Sequence, residues 1–194
     1  MGKETEHARC PWCGTDPLYV DYHDHEWGRP ERDPKRLFEL LILESFQAGL
    51  AWITILRKRE GFRSAFRGFD PATIATWGEP DVARLLSDPG IVRHRGKIEG
   101  TIRGAQAFLR IEAAQGFSPF LWSFVGGNPI PNRPARMSDV PAQTAQSLAM
   151  STALKAEGFN FVGPTITYAF MQAAGMVNDH LTTCSFREDA GQAG

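Results

Sequence analysis

The chain has 194 residues, and its 21 Lys plus Arg residues against 22 Asp plus Glu residues give a formal net charge of −1. A chain of this length can bury a hydrophobic core without disulfide bonds, and it favours a single domain. The near-zero net charge excludes recognition of nucleic acid by overall attraction, so any DNA contact must come from a local basic patch.

The sequence shows no sign of a membrane segment. No apolar run approaches the roughly 20 residues that a membrane-spanning helix requires, and the N-terminal residues lack the apolar stretch of a secretion signal. We therefore expect a cytoplasmic protein without membrane contact. In that compartment its three cysteines stay reduced and are better explained as metal ligands or core residues than as disulfides.

Proline and glycine positions predict an all-α fold, because alternating strand patterns are scarce. In chain order, the expected helix starts are Asp33-Pro34, Asp70-Pro71, Pro80-Asp81, Ser138 or Asp139, and Gly163-Pro164. Gly158 and Gly175 are expected to end the last two helices. We expect loops at residues 10–32, 116–137 and 176–194.

Residues 81–110 resemble a helix–hairpin–helix element. A short helix at residues 81–86 is followed by the tight hairpin Ser87-Asp88-Pro89-Gly90 and by a longer helix from Ile91 onward. Such an element binds the DNA backbone through main-chain N–H groups at a helix start, where the helix dipole also favours phosphate. The candidate DNA-backbone contacts are Gly90, Ile91, Arg93, Arg95 and Lys97. For this basic run, as for Arg57-Lys58-Arg59, a solvated helix face remains the alternative.

Gly96, Gly100 and Gly104 form one bare stripe along the second of these helices. Each glycine costs about 1 kcal/mol of helix stability relative to alanine. We therefore expect another stretch of backbone to pack closely against this stripe.

Glu44 lies where a core residue is expected. By the 3.6-residue period it shares one helix face with Leu37, Leu41 and Ala48, so its carboxylate is either buried or at the wall of a cavity. Desolvation of a carboxylate costs several kcal/mol unless it has a partner. An internal salt bridge is one explanation, and a carboxylate that awaits a cationic or hydrogen-bonding ligand is the other.

Aromatic residues accompany Glu44 in the first quarter of the chain. They form either core or a slot that stacks on a flat, electron-poor ring. These residues are Trp12, Tyr19, Tyr22, Trp27 and Trp52.

Candidate metal ligands lie at both ends of the chain. They are Cys10, Cys13, His23 and His25 near the start, with His180 and Cys184 near the end. Two ligands from each end would make a closed, structural Cys2His2 zinc site whose binding free energy stabilises the fold. The spacing does not choose between Cys10 and Cys13 or between His23 and His25, and unpaired buried thiols remain the alternative.

Many collinear blocks between about residues 10 and 185 together resemble the bacterial type I 3-methyladenine DNA glycosylases, a family of helix–hairpin–helix glycosylases. The blocks are Asp16-Pro17-Leu18-Tyr19, Tyr22-His23-Asp24, Glu26-Trp27-Gly28, Gln47-Ala48-Gly49-Leu50 with Trp52, residues 90–98, Phe120-Leu121-Trp122-Ser123-Phe124, residues 159–163, Phe170-Met171-Gln172-Ala173 and Asn178-Asp179-His180.

The resemblance implies a ligand set and roles for the site residues. It implies one structural zinc ion, held by Cys10, His23, His180 and Cys184. It implies that the catalytic Glu44 hydrogen-bonds a flipped 3-methyladenine, with Tyr22 as the second polar partner and Trp52 stacked on the base. The implied pocket walls are Tyr19, Trp12 and Trp27.

The function implied is hydrolysis of the N-glycosidic bond of 3-methyladenine in alkylated double-stranded DNA, by a monomeric enzyme without lyase activity. We expect one glycosylase unit, in which residues 10–32 and 160–187 form a zinc-linked terminal lobe and residues 33–159 form the helical core. A non-catalytic zinc-linked DNA-binding module is the alternative, but it leaves Glu44 unexplained. A redox protein that uses Cys10-Pro11-Trp12-Cys13 is a third hypothesis.

Overall fold

The computed structural model describes residues 8–188, and in that range it contains helices and no strands, apart from one isolated bridge between Ile130 and Val177. The all-α prediction is confirmed. The helices are α1 (Pro17–His25), α2 (Pro34–Gln47), α3 (Trp52–Ala65), α4 (Pro71–Ile74), α5 (Glu79–Ser87), α6 (Arg95–Gln115), α7 (Phe117–Ser123), α8 (Ala145–Glu157) and α9 (Pro164–Ala173). Within this range no helix is both long enough and apolar enough to span a bilayer.

Aspartate followed by proline begins helices as the sequence predicts. The Asp33 side chain accepts a hydrogen bond from the Arg36 N–H at 2.8 Å, and Asp70 accepts one from the Thr73 N–H at 3.0 Å. These carboxylates satisfy N–H groups that a helix start leaves unpaired. At the other end of a helix, Gly158 terminates α8 with a φ of 106°, a left-handed conformation that glycine adopts without strain.

Two of the expected loops contain helices. Residues 10–32 include α1, which Asp16 caps by accepting from the Leu18 N–H, and residues 116–137 include α7. Both helices are shorter than three turns, so neither develops the repeated apolar face by which helices are found in a sequence. From the third expected loop, residues 176–188 contain no helix, and residues 189–194 lie outside the described part of the chain.

Two predicted helix starts are displaced. Helix α8 begins after Thr144, whose hydroxyl accepts from the Ser147 N–H, while Ser138 and Asp139 belong to a short 3₁₀ turn. Helix α6 begins at Arg95 rather than at Ile91, because the His94 ring accepts from the Lys97 N–H and so caps the helix there. Capping geometry therefore decided the boundary in both cases.

Helix α2 lies at the centre of the fold and packs against α3, α6, α7 and α9. Its apolar side chains are almost completely buried on several faces rather than along one stripe. They are Leu37, Phe38, Leu41, Ile42, Leu43 and Phe46. The polar residues Glu44 and Ser45 in the second half of this helix therefore also lie inside the protein.

The two ends of the chain meet. The Ser185 N–H donates to the Ala8 carbonyl at 2.8 Å, and the Glu31 N–H donates to the Ala174 carbonyl at 3.1 Å. The segment before α2 thus packs on the segment that includes and follows α9. The division into a terminal lobe and a core, with boundaries near residues 33 and 160, stays a prediction.

The glycine stripe of α6 is contacted by side chains rather than by the backbone that we expected. A Cβ atom on Gly104 would lie 3.1 Å from the Phe159 ring, and one on Gly100 would lie 3.2 Å from the Asn160 Cβ. The loop after α8 therefore fills the stripe. Phe159 is buried there, which compensates for the low helix propensity of the glycines.

A close backbone contact is found instead between α3 and the turn before α6. A Cβ atom on Gly61 would lie 2.5 Å from the Gly90 carbonyl oxygen.

We expect Gly61→Ala to lower the free energy of unfolding by about 1–3 kcal/mol in urea denaturation, although alanine is the better helix former. Gly163→Ala is the control, because no atom lies within 4 Å of the new Cβ. Equal stability of Gly61→Ala and the wild-type protein would contradict this contact.

Candidate active site and metal-ligand cluster

A cavity of about 350 Å³ lies beside the second half of α2. We call it the aromatic cavity. Its walls come from the 3₁₀ turn at Pro11–Cys13, from α1 and the residues after it, from α2, from the start of α3, from the segment before α8, and from α9 with the residues after it. The lining residues are Trp12, Tyr19, Tyr22, Trp27, Glu44, Gln47, Trp52, Met137, Val140, Pro141, Ala142, Thr165, Tyr168, Ala169, Gln172 and Asp179.

Glu44 projects from α2 into this cavity with only 4% of its surface exposed. Within residues 8–188 its carboxyl group has no hydrogen-bond partner and no ion-pair partner, which excludes the internal salt bridge there. Burial raises the pKa of Glu44 to about 8. The carboxyl group is therefore largely protonated at neutral pH until a ligand favours its charged form.

Tyr22 and Trp52 form an aromatic wall next to Glu44, with ring centroids 5.6 Å apart and planes inclined by 44°. The indole Nε1 of Trp52 is buried without a hydrogen-bond acceptor among the described residues. Burial, followed by the charge of Glu44, raises the pKa of the Tyr22 hydroxyl. A buried polar group without a partner typically costs about 1–3 kcal/mol, so unmet polar groups at a cavity wall indicate a ligand site.

Trp12 joins the remaining aromatic residues into one cluster. Its ring packs edge-on against Tyr19 at 5.1 Å and against Trp27 at 4.9 Å. The structure thus brings together at one cavity the carboxylate and the five aromatic residues that the sequence singled out.

The opposite wall was missed by the sequence analysis. Asp179 is buried there and accepts hydrogen bonds from the Tyr168 hydroxyl at 2.6 Å, the Gln172 side chain at 2.8 Å and the Asn132 side chain at 2.7 Å. Because Asp179 accepts from the Gln172 amide nitrogen, the orientation of that amide is fixed. The only signal in the sequence was the polar run Asn178-Asp179-His180 after an apolar helix, in which His180 was expected to bind metal and Asp179 was given no role.

Cys10, His23, His180 and Cys184 form a buried group, which we call the metal-ligand cluster. Their ligand atoms all lie within 4.8 Å of one another. The Cys184 Sγ lies 3.4 Å from the His180 Nδ1 and 3.6 Å from the His23 Nε2, and the Cys10 Sγ lies 3.7 Å from the His180 Nδ1. Two thiols and two imidazoles at these distances could hold a metal ion.

The structure also decides between neighbouring candidates. The Cys13 thiol donates to the Cys10 carbonyl at 3.2 Å, and the exposed His25 pairs with Asp21, so neither belongs to the cluster. The outer nitrogens of the two cluster histidines are occupied. The His23 Nδ1 lies 2.7 Å from an Asp24 carboxylate oxygen, and the His180 Nε2 lies 3.3 Å from the Trp27 carbonyl. Such partners orient a ligating imidazole and fix its tautomer.

The metal-ligand cluster supports the aromatic cavity. Trp27 packs edge-on against His180 with ring centroids 4.7 Å apart, and Trp12 packs against His23 at 5.2 Å. Asp179 of the cavity wall directly precedes His180. The two walls of the cavity are therefore attached to the ligands at the two ends of the chain.

The hairpin residues are partly accessible. Gly90 and Ile91 lie in the turn between α5 and α6, where Ile91 is buried. Arg93 is exposed and has no ion pair or hydrogen bond from its side chain within residues 8–188, whereas Arg95 pairs with Glu79 and Glu99.

Lys97 does not face solvent, contrary to what a contact with the DNA backbone requires. It is buried, and its ammonium group donates to the Phe46 carbonyl and the Ala48 carbonyl, both at 2.9 Å. Lys97 is buried because it lies on the first turn of α6 and faces the end of α2. This burial follows from the packing of the two helices and could not be seen in the sequence.

Comparison with known proteins gives consistent matches. The family model described as methyladenine glycosylase matches residues 12–188. DNA-3-methyladenine glycosylase 1 of Escherichia coli (strain K12) is 52% identical over 177 residues, which cover 91% of this chain and 95% of that protein. DNA-3-methyladenine glycosylase of Haemophilus influenzae is 49% identical over 178 residues, which cover 91% and 96%.

Solved structures agree with these relatives. A crystal structure of 3-methyladenine DNA glycosylase I is 52% identical, covers 92% of this chain and 98% of its own, and superposes with a TM-score of 0.90. A second structure concerns the structural basis of 3-methyladenine recognition by the Staphylococcus aureus enzyme. It is 41% identical, covers 93% and 98%, and has a TM-score of 0.90.

The raised pKa of Glu44 predicts a dependence of stability on pH. Its folded-state value of about 8 exceeds the ordinary value of 4.5, so between these values the folded protein binds more protons and loses stability as pH rises. Glu44→Gln cannot ionise, and urea unfolding should show it gaining a few kcal/mol over the wild-type protein between about pH 5 and pH 8. A stability difference that does not change with pH would contradict the assigned burial.

Proposed function

This chain belongs to the methyladenine glycosylase family, and we propose that it is a DNA-3-methyladenine glycosylase that hydrolyses the N-glycosidic bond of 3-methyladenine in alkylated DNA. The observation that carries this proposal is the buried Glu44 carboxyl group, which has no protein partner in residues 8–188 and faces the aromatic cavity. The relatives from E. coli and H. influenzae bear this enzyme name, and the S. aureus structure concerns recognition of this base.

The chemistry of the lesion fits such a cavity. Methylation at N3 gives the purine a positive charge and weakens its bond to the sugar. When the bond breaks, its electron pair stays with the base, which leaves as a neutral molecule without a strong general acid. Water then adds to C1′ of the sugar and gives up a proton. The enzyme must flip the base out of the duplex, which costs a few kcal/mol, and must distinguish it from ordinary adenine.

Glu44 supplies the distinction. A cationic base next to its carboxyl group favours the ionised form, whereas neutral adenine leaves that form desolvated and uncompensated. The carboxylate accepts a hydrogen bond from the exocyclic amine, and its negative charge acts at longer range on the positive charge that develops on the sugar. Tyr22 is the second polar partner, Trp52 stacks on the ring, and Tyr19, Trp12 and Trp27 exclude water. All five line the same cavity as Glu44.

DNA binding fits the turn between α5 and α6, a helix–hairpin–helix that contacts the backbone of double-stranded DNA. The main-chain N–H groups of Val92 and Arg93 donate to no acceptor within residues 8–188, and the Arg93 side chain is free there. A phosphate at the start of the 21-residue α6 would receive these donors and the favourable end of the helix dipole. Gly90 and Ile91 shape this turn, and Arg95 would join by exchanging a carboxylate partner for phosphate.

The metal-ligand cluster fits one structural zinc ion. Tetrahedral zinc with Zn–S bonds of about 2.3 Å and Zn–N bonds of about 2.0–2.1 Å requires sulfur-to-nitrogen separations of about 3.6 Å. Three of the four sulfur-to-nitrogen separations in the cluster are 3.4, 3.6 and 3.7 Å, and all of the ligand atoms lie within 4.8 Å of one another. Bound zinc would stabilise the fold by joining the chain ends, and four protein ligands leave no position open for chemistry.

We further propose that the enzyme is monofunctional, monomeric and cytoplasmic. Lyase activity of glycosylases needs an amine that attacks the sugar, and no lysine of residues 8–188 lines the aromatic cavity. The ammonium group of Lys97 is engaged by two carbonyl oxygens.

Base release from methylated DNA tests the activity. We expect the wild-type protein to release 3-methyladenine but not 7-methylguanine, as measured by chromatography of the released bases. Glu44→Gln should lower the single-turnover rate by roughly 100-fold or more while the protein stays folded, because an electrostatic contact to the transition state is lost. Glu60→Gln is a matched control, since Glu60 is exposed on α3 and, among residues 8–188, pairs only with Arg63. Absence of base release by the wild-type protein would favour a non-catalytic DNA-binding module.

Metal analysis tests the cluster. Purified protein should contain about one zinc ion per chain. Cys184→Ala should lose the metal, melt at lower temperature and bind the base more weakly, because the cavity walls are attached to the ligands. Cys13→Ala, which removes a buried thiol outside the cluster, should retain the metal. Loss of metal from Cys13→Ala would show that the ligand set is wrong.

A further inference from the structure

Lys97 is a buried cation whose charge no carboxylate of residues 8–188 compensates by an ion pair. Its ammonium group instead donates to the carbonyl oxygens of Phe46 and Ala48, at 2.9 Å each. These oxygens belong to the C-terminal end of α2, where the last carbonyl groups of a helix lack intrahelical donors and the helix dipole is negative. The ammonium group therefore caps the end of α2 from another helix.

The end of α2 leads directly into the edge of the aromatic cavity. Residues 48–51, the α2–α3 turn, connect Gln47 to Trp52, and both of these residues line the cavity. The other hydrogen bonds of this turn are local, between Gln47 and the backbone of Leu50. Gly49 has a φ of 87°, and Leu50 is exposed. Within residues 8–188, the hydrogen bond from Lys97 to the Ala48 carbonyl oxygen thus connects this turn to a neighbouring helix.

The helix that carries Lys97 is the one whose start is proposed to bind the DNA backbone. Lys97 lies on the first turn of α6, and its own N–H donates to the His94 ring that caps that helix. One residue therefore touches both the start of α6 and the α2–α3 turn, two elements that are far apart in the sequence.

We propose that Lys97 is a positioning residue, which fixes the α2–α3 turn at the cavity edge relative to the DNA-binding start of α6. The inference rests on the proposed function. A base flipped from DNA held at α6 enters the cavity only if the two elements keep a fixed separation. The cation does not contact phosphate. It holds the cavity edge through main-chain oxygens, so neither a shorter nor an apolar side chain can replace it.

The salt dependence of DNA binding separates this role from a phosphate contact. The plot of log K against log salt concentration has a negative slope, and removing a side chain that neutralises one phosphate reduces the magnitude of this slope by about 0.9. Removing a positioning residue leaves the slope unchanged. We would measure duplex binding between about 50 and 200 mM salt, together with single-turnover release of 3-methyladenine at saturating DNA.

Lys97→Met and Arg93→Met form a matched pair, since each removes one positive charge near the start of α6. Lys97→Met should keep the wild-type salt slope and lower the base-release rate about 10-fold or more. Arg93→Met, which removes a proposed phosphate contact, should lower the magnitude of the slope by about 0.9. A slope reduced in Lys97→Met as in Arg93→Met, or an unchanged release rate, overturns the inference alone. No release by the wild-type protein overturns the proposed function and this inference with it.

Acetylation of the native wild-type protein keeps the test decisive if Lys97→Met does not fold. Lys97 should stay unmodified both without and with DNA in a peptide mass map, while the exposed Lys35 is modified in the free protein. Acetylation of Lys97 that duplex DNA prevents would identify a phosphate contact and overturn the proposal.

Discussion

Burial of the Glu44 carboxyl group without a protein partner is the constraint on which the site depends. An ionised carboxylate in an apolar surrounding is costly, and burial raises the pKa of this group to about 8. The fold tolerates the group because it can remain neutral when the cavity is empty. In the proposed function, the same property makes the cavity selective, since a cation restores the charge of Glu44 at little cost. Burial of this one acid therefore lowers the stability of the protein when the acid is ionised, and in the proposed function it also favours binding of a cationic base.

The surrounding structure keeps that desolvation in place. Trp12 and Trp27 contact both the aromatic cavity and the histidines of the metal-ligand cluster. Asp179 holds the opposite wall through Tyr168 and Gln172. Aromatic rings and the hydrogen bonds of Asp179 hold the walls of the cavity in place around Glu44. The attachment of the chain ends to each other is thus relevant to the site and not only to the fold.

Helix α2 carries two unusual electrostatic features within one turn of each other. Its interior presents an acid without a partner, and its C-terminal end receives the buried ammonium group of Lys97. Neither group is paired with an opposite side-chain charge in residues 8–188. In the proposed function the first group contacts the substrate, whereas the second donates to backbone carbonyl oxygens at the edge of the cavity. The central position of α2 allows both, because α3, α6, α7 and α9 pack against it.

Local signals in the sequence determined the helix class, the Asp-Pro helix starts, and the unusual place of Glu44 on an apolar face, because caps and the 3.6-residue period act between near neighbours in the chain. Identical residue types at nearby positions could not be separated in this way. The choice of Cys10 over Cys13 and the burial of Lys97 depend on which distant segments pack against them. The same holds for the wall around Asp179. Long-range packing leaves no periodic trace in the sequence, so local patterns could not decide these features. The family resemblance implied Cys10, and the tertiary structure decided the burial of Lys97 and the wall around Asp179.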